Sequence, residues 1–185
     1  EVCWSMACWF WLFPTSRPFF VQAQDDGKAS VLMLHGYGAN SAFWRPWSQR
    51  LTQAGISHAA IDLEPVLASI DDYAPLISHA VNQLRRSTGS ERVILLCHSM
   101  GGLAARAWLR ACGGACVARV ITLGSPHYGS ELAAYGVGIN AHQMRPASSD
   151  VRNWLQSLGV SEGAELRRLF VSIYSRHDNI VSPQA

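Results

Sequence analysis

The run Cys97-His98-Ser99-Met100-Gly101-Gly102 joins two elements that a chain can connect in few ways. Before it stands the apolar stretch Arg92-Val93-Ile94-Leu95-Leu96, which reads as a buried strand; directly after it a helical pattern begins. A strand that turns at once into a helix holds the residue at the bend in a strained backbone conformation, with its side chain projecting above the sheet. The positions two before and two after must then be small, because larger side chains would meet neighbouring backbone. Gly101 satisfies this fully, and Cys97 carries one of the smallest side chains. A serine at a strand–helix junction also serves as an ordinary N-cap, so these six residues alone leave two readings open.

Three further segments repeat the pattern of apolar strand followed by polar loop. Val31-Leu32-Met33-Leu34 runs into His35-Gly36-Tyr37-Gly38, a glycine-punctuated turn that would also suit a plain strand–turn with two positive-φ glycines. Val117 to Leu123 is followed by Gly124-Ser125-Pro126-His127-Tyr128-Gly129-Ser130, and Leu169 to Tyr174 by Ser175 to Pro183. Helical patterns separate the strands. Tyr73, Leu76, Ile77, Ala80, Val81 and Leu84 mark one buried face, with Asp71 and Asp72 at its start, Arg85 and Arg86 at its end, and Gly89 as C-cap. Alternating strands and helices of this kind imply an α/β protein with a mostly parallel sheet.

The runs LHGYG, CHSMGGLAARAWL, ITLGSPHYGS and YSRHDNIVSP resemble the bacterial triacylglycerol lipase and esterase branch of the α/β-hydrolases, over roughly residues 31 to 185. Within that branch the chain is most similar to proteobacterial lipase-like proteins that carry an apolar segment ahead of the catalytic domain. The resemblance implies the α/β-hydrolase fold, with a mostly parallel, doubly wound sheet. It implies Ser99 as nucleophile, an acyl-enzyme intermediate and water as the usual acceptor. The backbone N–H groups of Tyr37 and Met100 become the oxyanion donors, their side chains incidental; His35, Gly36, His98 and Gly101 support the two donor segments. Asp178 takes the place of the carboxylate that orients the catalytic histidine, against the plainer reading of a solvated loop aspartate.

That histidine, expected downstream of the acid and typically in a Gly-His pair, is absent, because the chain stops seven residues after Asp178. His35 and His98 belong to the donor segments, His127 and His142 to post-strand loops; His58 precedes a strand, His79 lies in a helix and His177 adjoins the acid. The expectation is therefore a C-terminally truncated domain, inactive without the triad histidine, whose first residue, Glu1, suggests incompleteness at that end too.

Composition limits the remaining classes. The 185 residues suffice for one domain with a sizeable core, and the net charge of +2 is dispersed, so no nucleic-acid footprint is evident. Much of the apolar excess in a chain of 49% apolar content lies in Val2 to Phe13, twelve uncharged residues rich in tryptophan. These fall short of the about 20 needed to span a bilayer, although tryptophans followed by Arg17 and Phe19-Phe20 suit a membrane–water boundary. The alternatives are a helix folded onto the domain and a signal remnant. The expected division is an apolar N-terminal segment over 1–21, a linker over 22–30 and the catalytic domain over 31–185. An insert over about 131–163, between two strands, corresponds to the cap or lid of lipase-like proteins. Association with the cell envelope or a membrane through the N-terminal segment is expected; the cytoplasm is the alternative. Cys112 and Cys116 bracket a three-residue loop and suit a short disulfide in an oxidising compartment, while no metal or other cofactor is inferred.

The function expected is hydrolysis of carboxylic esters, with a small-molecule or lipid ester as partner. Acyl transfer to another acceptor, thioester cleavage, and non-catalytic binding of a lipid or partner stand as alternatives, because one fold of this kind hosts many reactions.

Overall fold

A computed structural model of the chain describes residues 17–23, 28–146 and 154–175. Six strands form one sheet: β1 (Phe19–Val21), β2 (Ser30–Leu34), β3 (His58–Ile61), β4 (Val93–His98), β5 (Val117–Leu123) and β6 (Phe170–Ile173). Their order is β1-β3-β2-β4-β5-β6; β1 runs antiparallel to β3, and every other neighbouring pair is parallel. The helices are α1 (Arg45–Gln53), α2 (Ala74–Thr88), α3 (Met100–Cys112), α4 (Ile139–Gln143), α5 (Trp154–Ser161) and α6 (Ala164–Arg167).

The unbroken apolar runs of the central strands follow from burial on both sheet faces. Because side chains alternate along a strand, Leu32 and Leu34 of β2 join one cluster with Leu95, Cys97 and the inner faces of α2 and α3. Val31 and Met33 join the opposite cluster, with Ala60, Leu96 and Trp44. All five residues of β2 are buried as a result, and each large apolar side chain so enclosed stabilises the fold by about 1.5–3 kcal/mol. Burial pushes the Cys97 thiol far above its usual range, which marks it as a packed small side chain.

Helix α2 ends as its sequence suggests, with Gly89 in the left-handed conformation (φ 70°). Its buried face comprises Ile77, Ala80, Val81 and Leu84, whereas Leu76 is exposed. Helix α3 covers the other side of α2, where Trp108 Nε1 donates to Ser78 Oγ at 2.7 Å, so Leu76 lies on the uncovered rim.

Several boundaries differ from expectation. Phe19 and Phe20, grouped above with the apolar N-terminal segment, form an edge strand paired with Ala60 and Ala59. Ser30, assigned to the linker, begins β2. His58 opens β3 instead of preceding it, and His142 lies in α4 instead of a loop. The cysteines at 112 and 116 are free thiols, not a disulfide. The segment Val2 to Phe13 lies outside the described residues, and among those described no helix is long and apolar enough to cross a membrane.

Candidate active site

Parallel strands deliver all their C-terminal loops to one end of the sheet, and those of the residues singled out from the sequence that are described, all but Asp178, gather there. Ser99 sits between β4 and α3 with φ 51° and ψ −122°, the only non-glycine residue with positive φ among those described. A side chain at that backbone conformation is strained by about 1–3 kcal/mol and persists only when its surroundings enforce it. They do so here. The Ser99 N–H donates to Leu123 O at the end of β5 (3.0 Å), and the Ser99 carbonyl accepts from the Gly102 N–H (3.0 Å). The bend is thus held by the neighbouring strand on one side and by the first turn of α3 on the other.

The turn after β2 lies directly against this bend. A Cβ on Gly36 would stand 2.9 Å from Ser99 Cβ and 3.1 Å from His98 Nδ1. A Cβ on Gly101 would fall 2.7 Å from His35 O and nearer still to Leu34 O. Both glycines are therefore demanded by close approach, and the structure brings His35, Gly36, His98, Ser99 and Gly101 into one cluster. Tyr37 and Met100 flank it. Among the described residues, neither backbone N–H of these two is engaged in a hydrogen bond; Met100 is the first helical residue, whose N–H has no intrahelical acceptor. Asp178 lies outside the described residues, beyond the end of β6.

The histidines are sorted by their partners. His35 Nε2 accepts from the Leu63 N–H (2.9 Å), which leaves the ring proton on Nδ1, facing Gly36 O at 2.8 Å. Burial lowers its pKa, so the ring is a neutral, saturated brace for the turn. His58 is likewise occupied, with Nδ1 donating to Ile56 O (2.8 Å) and Nε2 against Ser48 Oγ (2.7 Å). His98 stacks on Phe43, ring centroids 4.4 Å apart.

His127 has a more elaborate setting that sequence reasoning missed. Its Nε2 meets Thr122 Oγ1 (3.1 Å) and Ser172 Oγ (3.4 Å), a cross-strand pair of β5 and β6. Its carbonyl accepts from Arg106 Nη1 (3.0 Å). Arg106 in turn grips both oxygens of Glu162, Nε to Oε1 at 2.5 Å and Nη2 to Oε2 at 3.0 Å, with the two side chains only 9% and 11% exposed. Burial, reinforced by the Arg106 charge, pushes His127 down to about 4. The loop after β5 is thereby pinned from below by the elbow helix and by the residue that follows α5. One signal for this was present in the sequence: Arg106 is the lone charge within Leu103-Ala104-Ala105-Arg106-Ala107-Trp108-Leu109, and a charge in the middle of a buried helix requires a partner.

The geometry matches known proteins. The alpha/beta hydrolase family matches residues 31–178. Among solved structures, the mature form of Bacillus licheniformis lipase BlEst2 is similar at 22% identity and a TM-score of 0.70, covering 85% of this chain and 70% of that one. Aspergillus fumigatus lipase B is similar at 19% identity and a TM-score of 0.70, over 86% of this chain and 40% of its own. Legionella pneumophila phospholipase PlaB is similar at 15% identity and a TM-score of 0.61, over 80% of this chain and 38% of its own. The chain thus spans less than half the length of the latter two, and at such identities the likeness is one of fold. Together the family match, the parallel sheet and the strained serine bend lead to one conclusion: the chain belongs to the alpha/beta hydrolase family.

Proposed function

We propose that this chain carries the nucleophile and oxyanion segments of a serine carboxylic-ester hydrolase acting on acyl esters of small molecules or lipids. The observation that carries the reading is Ser99 itself: a hydroxyl held at φ 51° on the bend between β4 and α3, beside two segments whose backbone N–H groups at Tyr37 and Met100 are unengaged among the described residues. Ser99 Oγ attacks the ester carbonyl, and the two N–H groups receive the oxyanion that develops on its oxygen. The tetrahedral adduct collapses, the bond to the alkoxy group breaks, and the serine proton passes through a histidine to the departing alcohol. Water then attacks the acyl-serine by the same route in reverse, releasing the acid. Each oxyanion donor is worth about 2.7–4 kcal/mol of barrier in enzymes of this kind.

Asp178 orients the histidine in this scheme. His35 and His58 do not serve as that base, because both ring nitrogens of each are committed elsewhere. The apolar segment Val2 to Phe13 belongs to the proposal as a membrane-associating element, tested by flotation of the protein with and without it on phospholipid vesicles. For the chemistry, Ser99→Ala in the full-length protein is expected to abolish turnover of short p-nitrophenyl esters and labelling by a fluorophosphonate. Asp178→Asn is expected to lower kcat by orders of magnitude. Unchanged turnover in Ser99→Ala removes Ser99 from the mechanism, and product analysis with competing alcohols and thiols distinguishes hydrolysis from acyl transfer.

A further inference from the structure

The side chain of Tyr37 has a role that its backbone does not exhaust. Its hydroxyl donates to Val137 O at 2.8 Å and accepts from the Val137 N–H at 3.0 Å, so one phenol satisfies both backbone groups of a residue 100 positions away. Val137 lies between the short 3-10 turn Glu131–Tyr135 and α4. Its backbone has no other hydrogen bond among the described residues.

Topology says what that tie spans. The segment leaves the sheet at the end of β5 and is fastened, at Val137, to the turn that follows β2. β5 and β2 are the two neighbours of β4, and Ser99 stands at the end of β4. A segment that starts on one flank and is tied to the other must pass across the end of the strand between them. The crossing is snug at the tie. A Cβ on Gly136 would lie 3.6 Å from Tyr37 Oη and 2.8 Å from Ala141 Cβ, while Gly138 (φ 93°) packs against Leu67, whose carbonyl accepts from the Ile139 N–H at 3.0 Å. Asn140 Nδ2 adds a bond to Val66 O at 2.7 Å. The backbone of 136–140 is therefore moored on one side by Tyr37 and on the other by the loop after β3. The apolar side chains along and beside this stretch are exposed: Tyr135 87%, Val137 65% and Ile139 58%.

We infer that Tyr37 is a positioning residue for acyl-group selectivity: its hydroxyl registers the segment 136–138 against the turn after β2, and so fixes the wall that an acyl group meets as it approaches Ser99. The inference rests on the ester-hydrolase reading. A short acyl group reaches Ser99 without touching that wall, whereas a long one must lie along it. Loss of the hydroxyl leaves the fold largely intact, because Val137 is exposed and water replaces both bonds. It releases the segment and makes the wall indefinite. The loss then falls on long acyl groups, chiefly in KM.

The experiment compares Tyr37→Phe with the parent full-length protein by amide hydrogen exchange and by kinetics on p-nitrophenyl acetate and octanoate. In the parent, the Val137 amide is expected to exchange at least tenfold more slowly than an unprotected amide, and in Tyr37→Phe that protection disappears. The fall in kcat/KM on octanoate is expected to be at least five times the fall on acetate. An unprotected Val137 amide in the parent, protection that survives in Tyr37→Phe, or equal losses on the two esters each overturn the inference. The exchange measurement needs no turnover, so a failure of the tie is distinguishable from a failure of the hydrolase reading, which Ser99→Ala tests separately.

Discussion

Replacing Gly101 by alanine sets two effects of opposite sign against each other. Helix propensity favours alanine over glycine by at most about 1 kcal/mol. Packing opposes it, because the new Cβ would stand 2.7 Å from His35 O and 2.9 Å from Leu34 C. These are backbone atoms at the end of a wholly buried strand, and no rotamer change moves them. Leu34 O lies nearer still, and restoring an ordinary carbon–oxygen separation of about 3.3 Å there requires α3 and the end of β2 to part by roughly 0.9 Å. Helix α3 is buried continuously from Met100 to Leu109, so such a shift is felt along three turns. Overpacking of this kind costs about 1–3 kcal/mol, and propensity does not offset it. Gly159 in α5 provides the contrast, since nothing lies within 4 Å of a Cβ placed there. Gly159→Ala is therefore expected to stabilise by up to about 1 kcal/mol, and Gly101→Ala to destabilise by about 1–2 kcal/mol net. Urea titration reads both, as opposite shifts of the midpoint at unchanged slope. A Gly101→Ala protein at least as stable as its parent would refute the close approach of the elbow to the turn after β2.

Two further outcomes follow from the buried polar network. Glu162→Gln strands the Arg106 guanidinium in a site where it is 9% exposed, and the loss is expected to be about 3–5 kcal/mol, with Arg106→Met/Glu162→Leu recovering most of it; a loss below about 1 kcal/mol in thermal or urea unfolding would place the pair with ordinary surface bridges. His127 is neutral in the fold down to about pH 4, whereas unfolded histidine takes its proton near 6.5. The unfolded chain thus binds more protons between these values, and stability is complete above pH 6.5 and is lost as pH falls towards 4, by about 3 kcal/mol in all. Unfolding free energies from pH 4 to 7 should show this slope flattened in His127→Gln relative to the parent, and parallel curves for the two proteins would contradict it.

What could be read from the sequence was local in origin. The elbow at Ser99, the strand that precedes it and the Gly89 cap are set by residues a few positions apart, and each stands as expected. The misses arise from distance along the chain or from packing direction. The tie between Tyr37 and Val137 joins residues 100 apart, and the Arg106–Glu162 pair residues 56 apart; no periodicity records either. Phe19 and Phe20 read as part of an apolar leader because a short edge strand has the same composition as a membrane-facing stretch, and only its pairing with β3 distinguishes them. Leu76 was assigned to the core because it lies on the rim of the apolar arc, and which rim is covered depends on where α3 packs. Of the candidate residues, the cluster around Ser99 was legible because small residues beside a bend advertise close approach. The phenol of Tyr37 was not, since its partner is backbone and leaves no mark on residue type.

The conformation of Ser99 has a consequence for how such a chain changes over generations. Glycine would adopt φ 51° without strain, and a single substitution would return about 1–3 kcal/mol to the folded state. A lineage with no use for the hydroxyl would drift towards that relief, because mutations that stabilise and harm nothing spread unopposed. Keeping an alcohol on this bend is a standing handicap, one that the reactivity assigned to it in the proposed ester hydrolysis would offset.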